Sequence, residues 1–143
     1  MPPPSQLPHP YGAPIGVELA RGVARAAIAE ATRQGWTVAV AVVDAGGDLV
    51  YFERIDHTQA AGSQIAQDKA RTAVRFKRPT RLLEAGIAAG RHAILGLPGA
   101  IPLDGGLPLI VDGAIVGAIG VSGVNSDQDG VVAQAGVDAL ARR

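Results

Sequence analysis

The sequence contains no cysteine. Disulfides, cysteine-ligated zinc, iron–sulfur clusters and thiolate nucleophiles are therefore excluded. Aromatic residues are also scarce, at 3% of the 143 residues, whereas hydrophobic residues as a whole make up 48%. The interior must therefore be filled by alanine, valine, isoleucine and leucine, which favours closely spaced helices and strands.

Neither sign of charge is in excess, because thirteen basic residues balance thirteen acidic ones. This balance provides no electrostatic attraction to nucleic acid or to an anionic membrane, so neither is expected as a partner. No stretch approaches the ~18 consecutive apolar residues of a membrane-spanning helix. The N-terminus lacks the basic and apolar regions of a secretory signal. We therefore expect a cytoplasmic (cytosolic) protein.

The chain length fits one domain preceded by a short arm. Residues 1–14 contain six of the ten prolines and predict a flexible, extended arm. Residues 15–143 predict a single folded domain. The predicted elements in it are a helix over 15–34, strands over 36–43 and 49–55, helices over 60–76 and 80–92, strands over 107–111 and 114–121, and a last helix over 126–143.

The order of these elements predicts the fold class. Two hairpins separated by helices cannot build an all-parallel sheet, so we expect an α/β (α+β) fold with a mainly antiparallel sheet of four or five strands packed with helices. A fifth, short strand is placed over 100–103. In the first strand Val38, Val40 and Val42 share one face and Ala39 and Ala41 the other, so both faces are expected to be covered. Asn125 or Ser126 is predicted to cap the last helix, and Ser126 with Asp129 resembles a capping box.

Lys69 is the first candidate site residue, because the helical pattern places it beside Ile65 and Ala73 on the apolar side. A lysine there can bind a carboxylate or act as an amine with an altered pKa. Alternatively, its stem packs while its ammonium reaches solvent or pairs with an acid. Glycines in the last strand, followed by Ser122, allow either a ligand or another backbone to approach closely.

The three histidines, His9, His57 and His92, provide no two-ligand helical pair, so no metal motif is present. Each remains usable as an axial ligand of haem. Without cysteine, and with methionine only at position 1, histidine and tyrosine are the remaining usual ligands. His57, which follows a strand, is the first candidate and His9 the second.

Four segments together resemble the GlcG/HbpS family, which is also found as the C-terminal domain of PduO-type proteins. They are Val42–Val50, Asp68–Ala73, Gly105–Leu109 and Asp112–Gly123. The resemblance implies a profilin-like fold, homo-oligomers and binding of haem in a non-enzymatic or accessory role. It extends over about residues 14–141. One departure is that no residue between Ile15 and Gln34 matches the first-helix histidine of some PduO-type domains.

Three functions follow from these observations. The first is binding of haem or another tetrapyrrole, with candidate cofactor-binding residues His57, His9, Lys69, Ser122, Gly120 and Gly106. The second is an enzyme or accessory factor that binds a small organic acid, such as a glycolate-like or aromatic-catabolism intermediate, through Lys69. The third is an oligomeric scaffold without a small ligand. The haem hypothesis is preferred, with a pocket expected beside Lys69 and Ser122.

Overall fold

The computed structural model describes residues 8–143 and contains one four-stranded sheet with helices on both faces. The helices are α1 (Val17–Gln34), α2 (Gly62–Arg75), α3 (Arg81–Ala88) and α4 (Ser126–Ala141), with a short 3₁₀ helix at His92–Gly96. The strands are β1 (Ala39–Asp44), β2 (Leu49–Arg54), β3 (Gly106–Val111) and β4 (Ala114–Ser122).

The sheet has the strand order β2-β1-β4-β3, and every neighbouring pair is antiparallel. Each predicted hairpin forms, and the two hairpins join through β1 and β4, where Ala41 lies opposite Gly120. The predicted α+β class and the antiparallel sheet are confirmed. β2 and β3 are left as the two edges of the sheet.

One face of the sheet forms the main core against α1 and α4. Val38, Val40 and Val42 pack there with Ile119 and with the alanines of α1. All four residues are completely buried, as expected from the β-branched run. The face predicted for these valines is therefore confirmed.

The other face carries very small side chains and is covered by α2. Ala39 and Ala41 contact Ala66, and a Cβ placed at Gly120 would overlap the carbonyl of Ala66. Since neither partner has bulk, the helix backbone lies directly against the strand. The close packing of α2 on the sheet was expected from the sequence, because it contains few aromatic side chains to fill a wider gap.

Three local predictions are wrong. α3 ends at Ala88 instead of about residue 92, because Gly90 adopts a left-handed conformation (φ +98°). Residues 100–103 form no strand. The box of Ser126 and Asp129 does not form, because Asp129 turns inward; Asn125, the other predicted cap, forms the capping box with Gln128.

Part of the predicted N-terminal arm lies along the domain. The N–H of Ile115 donates to the carbonyl of Pro10, and the Tyr11 hydroxyl donates to the carbonyl of Val74 over 2.6 Å. The first bond pairs the arm with the start of β4, and the second fastens it to the end of α2. Residues 1–7, which contain three of the arm's prolines, lie outside the described residues.

Within residues 8–143, none of the helices combines the length and apolar character needed to cross a bilayer. The cytoplasmic location expected from the sequence stays a prediction.

Candidate functional site

Lys69 lies on the sheet-facing stripe of α2 and is 1% exposed. Its Nζ donates to the carbonyl of Val121 over 2.9 Å and to Asp129 Oδ2 over 3.0 Å. Of the two interpretations of this lysine, the structure shows the one in which the ammonium pairs with an acid. The pair joins α2 to the end of β4 and to the first turn of α4.

Asp129 is the acid of this pair and is 2% exposed. Its Oδ1 accepts a hydrogen bond from the N–H of Val124 over 3.1 Å, so both carboxylate oxygens are satisfied. Burial raises the pKa of Asp129, while the Lys69 charge and the Val124 N–H partly oppose that rise. The Asp129 carboxylate, 3.0 Å from Lys69 Nζ, thus balances the lysine charge inside the fold.

The glycines of the candidate site contact protein atoms. A Cβ at Gly106 would overlap the carbonyl of Lys69, and one at Gly120 would overlap that of Ala66. Thr80 holds Gly106 in place, since its Oγ1 accepts from the Gly106 N–H over 2.9 Å. Ser122 is 4% exposed and ends β4 beneath α2. The space expected to hold a ligand beside Lys69 and Ser122 is filled by the α2 backbone.

A second acid, Asp104, lies near the ion pair and was not identified from the sequence. It packs directly against Gly130 of α4, and its N–H donates to Glu84 Oε1 over 2.9 Å. Burial raises the pKa of Asp104, and the positive charges of Arg81 and Lys69 partly oppose this. Its sequence context, a turn before two glycines, carries no signal that separates it from an ordinary loop aspartate.

The histidines occupy three separate environments. His57 is exposed and has a left-handed backbone (φ +72°) in the turn after β2. His92 is exposed at the start of the 3₁₀ helix. His9 is half-buried, and its Nδ1 has no hydrogen-bond partner among the described residues. In the part of the chain that the structure describes, no side-chain hydrogen bond or ion pair joins a histidine to Lys69 or Ser122.

Four surface cavities of residues 8–143 lie away from these positions, since none of the four is lined by a histidine, Lys69, Ser122, Gly106 or Gly120. A cavity of about 250 Å³ lies between α3 and the 3₁₀ helix. A second cavity, of about 430 Å³, lies between α1 and α4. Residues 8–143 also contain no group of three or more histidine, aspartate or glutamate residues that could hold a metal ion.

Comparison with known proteins gives a consistent family. A family model described as "Haem degrading protein HbpS-like" matches residues 15–138. Protein GlcG of Escherichia coli (strain K12) is 39% identical over 108 residues, which cover 76% of this chain and 81% of GlcG.

Two solved structures are similar over most of their length. An HbpS double mutant of Streptomyces reticuli is 35% identical with a TM-score of 0.83, covering 90% of this chain and 88% of that one. A PduOC:haem complex is 28% identical with a TM-score of 0.78, covering 89% of this chain and 95% of the other. The sequence and fold similarity agree with the motifs in β1, α2 and β4, and the chain belongs to the GlcG/HbpS family.

Proposed function

We propose that this chain binds haem or a related tetrapyrrole in a non-enzymatic or accessory role, with His57 as the axial ligand. The main observation that supports this proposal is that a protein of the same fold, 28% identical to this chain, forms a haem complex. The HbpS-like description of the matching family supports the same ligand class.

The available donors fit a haem iron. The sequence contains no cysteine, and its single methionine is residue 1, so imidazole and phenol are the remaining usual axial ligands. The exposed imidazole of His57 is accessible to a large planar ligand without opening the core. His9 remains the second candidate, because its Nδ1 has no partner among the described residues.

We propose a structural role, instead of direct contact with haem, for four other residues: Lys69, Ser122, Gly120 and Gly106. These residues are buried and contact other parts of the fold, so direct contact with haem would require α2 to move. We propose that they fix the end of β4 and the start of α4. When bound, the haem group would supply its own redox or spectroscopic chemistry, and the polypeptide would supply the imidazole.

A haem held by His57 would lie at the surface of a single chain, because His57 is exposed. We propose that a second copy of the chain covers it, in a homo-oligomer. β2, the strand that precedes His57, is an edge strand with no neighbour on its outer side among residues 8–143, and this supports the arrangement, since exposed edges favour association.

Titration of hemin into the purified protein tests this function. We expect a sharp Soret band that saturates with the protein. The affinity for hemin should be at least roughly ten-fold weaker in His57→Ala, because the iron–imidazole bond is lost. His92→Ala is the matched control, since it removes another exposed histidine, and its titration should equal that of the wild type. A spectrum no different from that of free hemin would refute haem binding. If hemin affinity is lost in His9→Ala and unchanged in His57→Ala, the proposed function stands and His9 is the axial ligand instead of His57.

A further inference from the structure

The cavity between α3 and the 3₁₀ helix is shaped by the way α3 ends. Gly90, in its left-handed conformation, donates its N–H to the carbonyl of Ile87, and Arg91 donates to the carbonyl of Gly86. This pair of bonds is a Schellman motif, which turns the chain back over the helix that it has just left. Arg91 is therefore held beside Gly86, and the 3₁₀ helix lies across α3.

Gly86 lines the cavity, and the Ile94 side chain packs where a side chain at Gly86 would lie. A Cβ there would lie 2.5 Å from Ile94 Cδ1, so any side chain would displace Ile94 into the opening. The cavity measures about 250 Å³, and six of the eight residues that line it are apolar. The apolar lining residues are Leu82, Leu83, Gly86, Ala93, Ile94 and Leu97.

Two arginines and no acid line this apolar cavity. Arg78 and Arg91 contribute to its wall, and neither forms an ion pair with an acid in the described part of the chain. Arg78 donates its Nε to the carbonyl of Phe76 over 2.8 Å, which fixes the start of the guanidinium group. Its other guanidinium nitrogens make no hydrogen bond among residues 8–143. Two uncompensated guanidinium groups beside an apolar floor match a ligand with one carboxylate and one apolar part.

We infer that this cavity binds a small amphipathic carboxylate, with its carboxylate on Arg78 and Arg91 and its apolar part over Ile94 and Leu97. The volume lies just below the ~300 Å³ at which sites for drug-sized ligands begin. The ligand is therefore small, with one ring or a short hydrocarbon chain. No histidine lines the cavity, so this site is separate from the haem site proposed above.

Binding is tested by ¹⁵N NMR titration with benzoate and hexanoate. We expect saturable shifts of the amides of Gly86 and Arg91 with both ligands. Benzamide and hexanol, which keep the shape but lack the charge, should cause much smaller shifts, as should acetate, which lacks the apolar part. The double variant Arg78→Gln/Arg91→Gln should weaken benzoate binding roughly ten-fold or more, because charge-assisted hydrogen bonds are lost. Arg81→Gln is the matched control, since Arg81 is the first residue of α3 but does not line this cavity.

Gly86→Ala provides an independent test of the apolar part. Alanine favours a helix by about 1 kcal/mol over glycine, so the variant is expected to fold, while its methyl group displaces Ile94 into the cavity. Benzoate should bind it several-fold more weakly. Equal binding of benzoate and benzamide, or unchanged binding in the double arginine variant, would overturn the inference. So would the absence of binding together with a change of oligomer mass in Gly86→Ala by light scattering, since a second copy would then occupy the cavity.

Discussion

Lys69→Met is expected to be among the most destabilising substitutions in the chain. The change keeps most of the apolar stem and removes the ammonium from a pair whose side chains are both 2% exposed. Asp129 is then a buried carboxylate that retains the Val124 N–H and loses its counter-ion. Removing one partner of a buried ion pair costs about 3–5 kcal/mol. Since domains are stable by about 5–15 kcal/mol, the variant should lose a large fraction of its free energy of unfolding.

The loss should depend on pH, because the Lys69 charge lowers the pKa of Asp129 and its removal must raise that pKa further. A carboxyl group whose pKa is higher in the folded than in the unfolded state binds more protons when folded. Its protonated form is accommodated at low pH, and stability is lost as the pH rises through the folded-state pKa. The difference between Lys69→Met and the wild type should therefore be large at pH 7 and smaller near pH 4.

Urea denaturation at both pH values measures these differences. The double variant Lys69→Met/Asp129→Asn should be more stable at pH 7 than Lys69→Met alone, because no unpaired charge remains. Arg33→Met is the matched control, since Arg33 pairs with Glu30 on the surface of α1, where solvent screens the attraction, so its stability should differ little from that of the wild type. A loss below about 1 kcal/mol for Lys69→Met at pH 7, or the same loss at both pH values, would refute this account of the ion pair.

Three further substitutions test the packing and the second acid. Gly120→Ala should destabilise the protein by about 3 kcal/mol or more, because the added methyl group meets the backbone of Ala66. Gly22→Ala in α1 should instead be neutral or stabilising by up to about 1 kcal/mol, because no atom lies within 4 Å of the added methyl group. Thermal denaturation compares the two. Asp104→Asn should raise the Tm at pH 7, because burial raises the pKa of Asp104 and its ionised form is therefore disfavoured in the fold. The gain should disappear as the pH falls below the ordinary pKa of an aspartate, about 3.9, and a Tm at pH 7 below that of the wild type would contradict it.

The sheet could be predicted because its signals are local. Asp112-Gly113 specifies a tight turn between two apolar runs, and the alternation in Val38–Val43 defines two buried faces. The structure shows positive φ angles at both turn residues, as that turn requires. The last residue of α3 was harder to predict from the sequence, because glycine occurs both inside that helix, at Gly86, and at its end, at Gly90. The structure shows that α3 continues through Gly86, against which Ile94 packs, and that the chain reverses at Gly90, which has a φ of +98°.

The candidate site depended on contacts that sequence spacing does not reveal. Asp129 fits the first turn of a helix, where an acid favourably meets the helix dipole, so its inward turn toward Lys69, 60 residues earlier in the chain, had no local signal. The glycines of β4 are compatible with either a ligand or a neighbouring backbone. The alanines of α2 could have favoured the second interpretation, because a helix with a small-residue face packs closely against a strand that is equally small. The cofactor-binding roles of His57 and His9 stay predictions.

A crystal structure of the protein grown with hemin tests the central claim most directly. The account predicts an iron atom bonded to the His57 imidazole at the surface of the chain, with the Lys69–Asp129 pair still closed and α2 still against Gly120. A tetrapyrrole lodged between α2 and the sheet, with Lys69 released from Asp129, would contradict it.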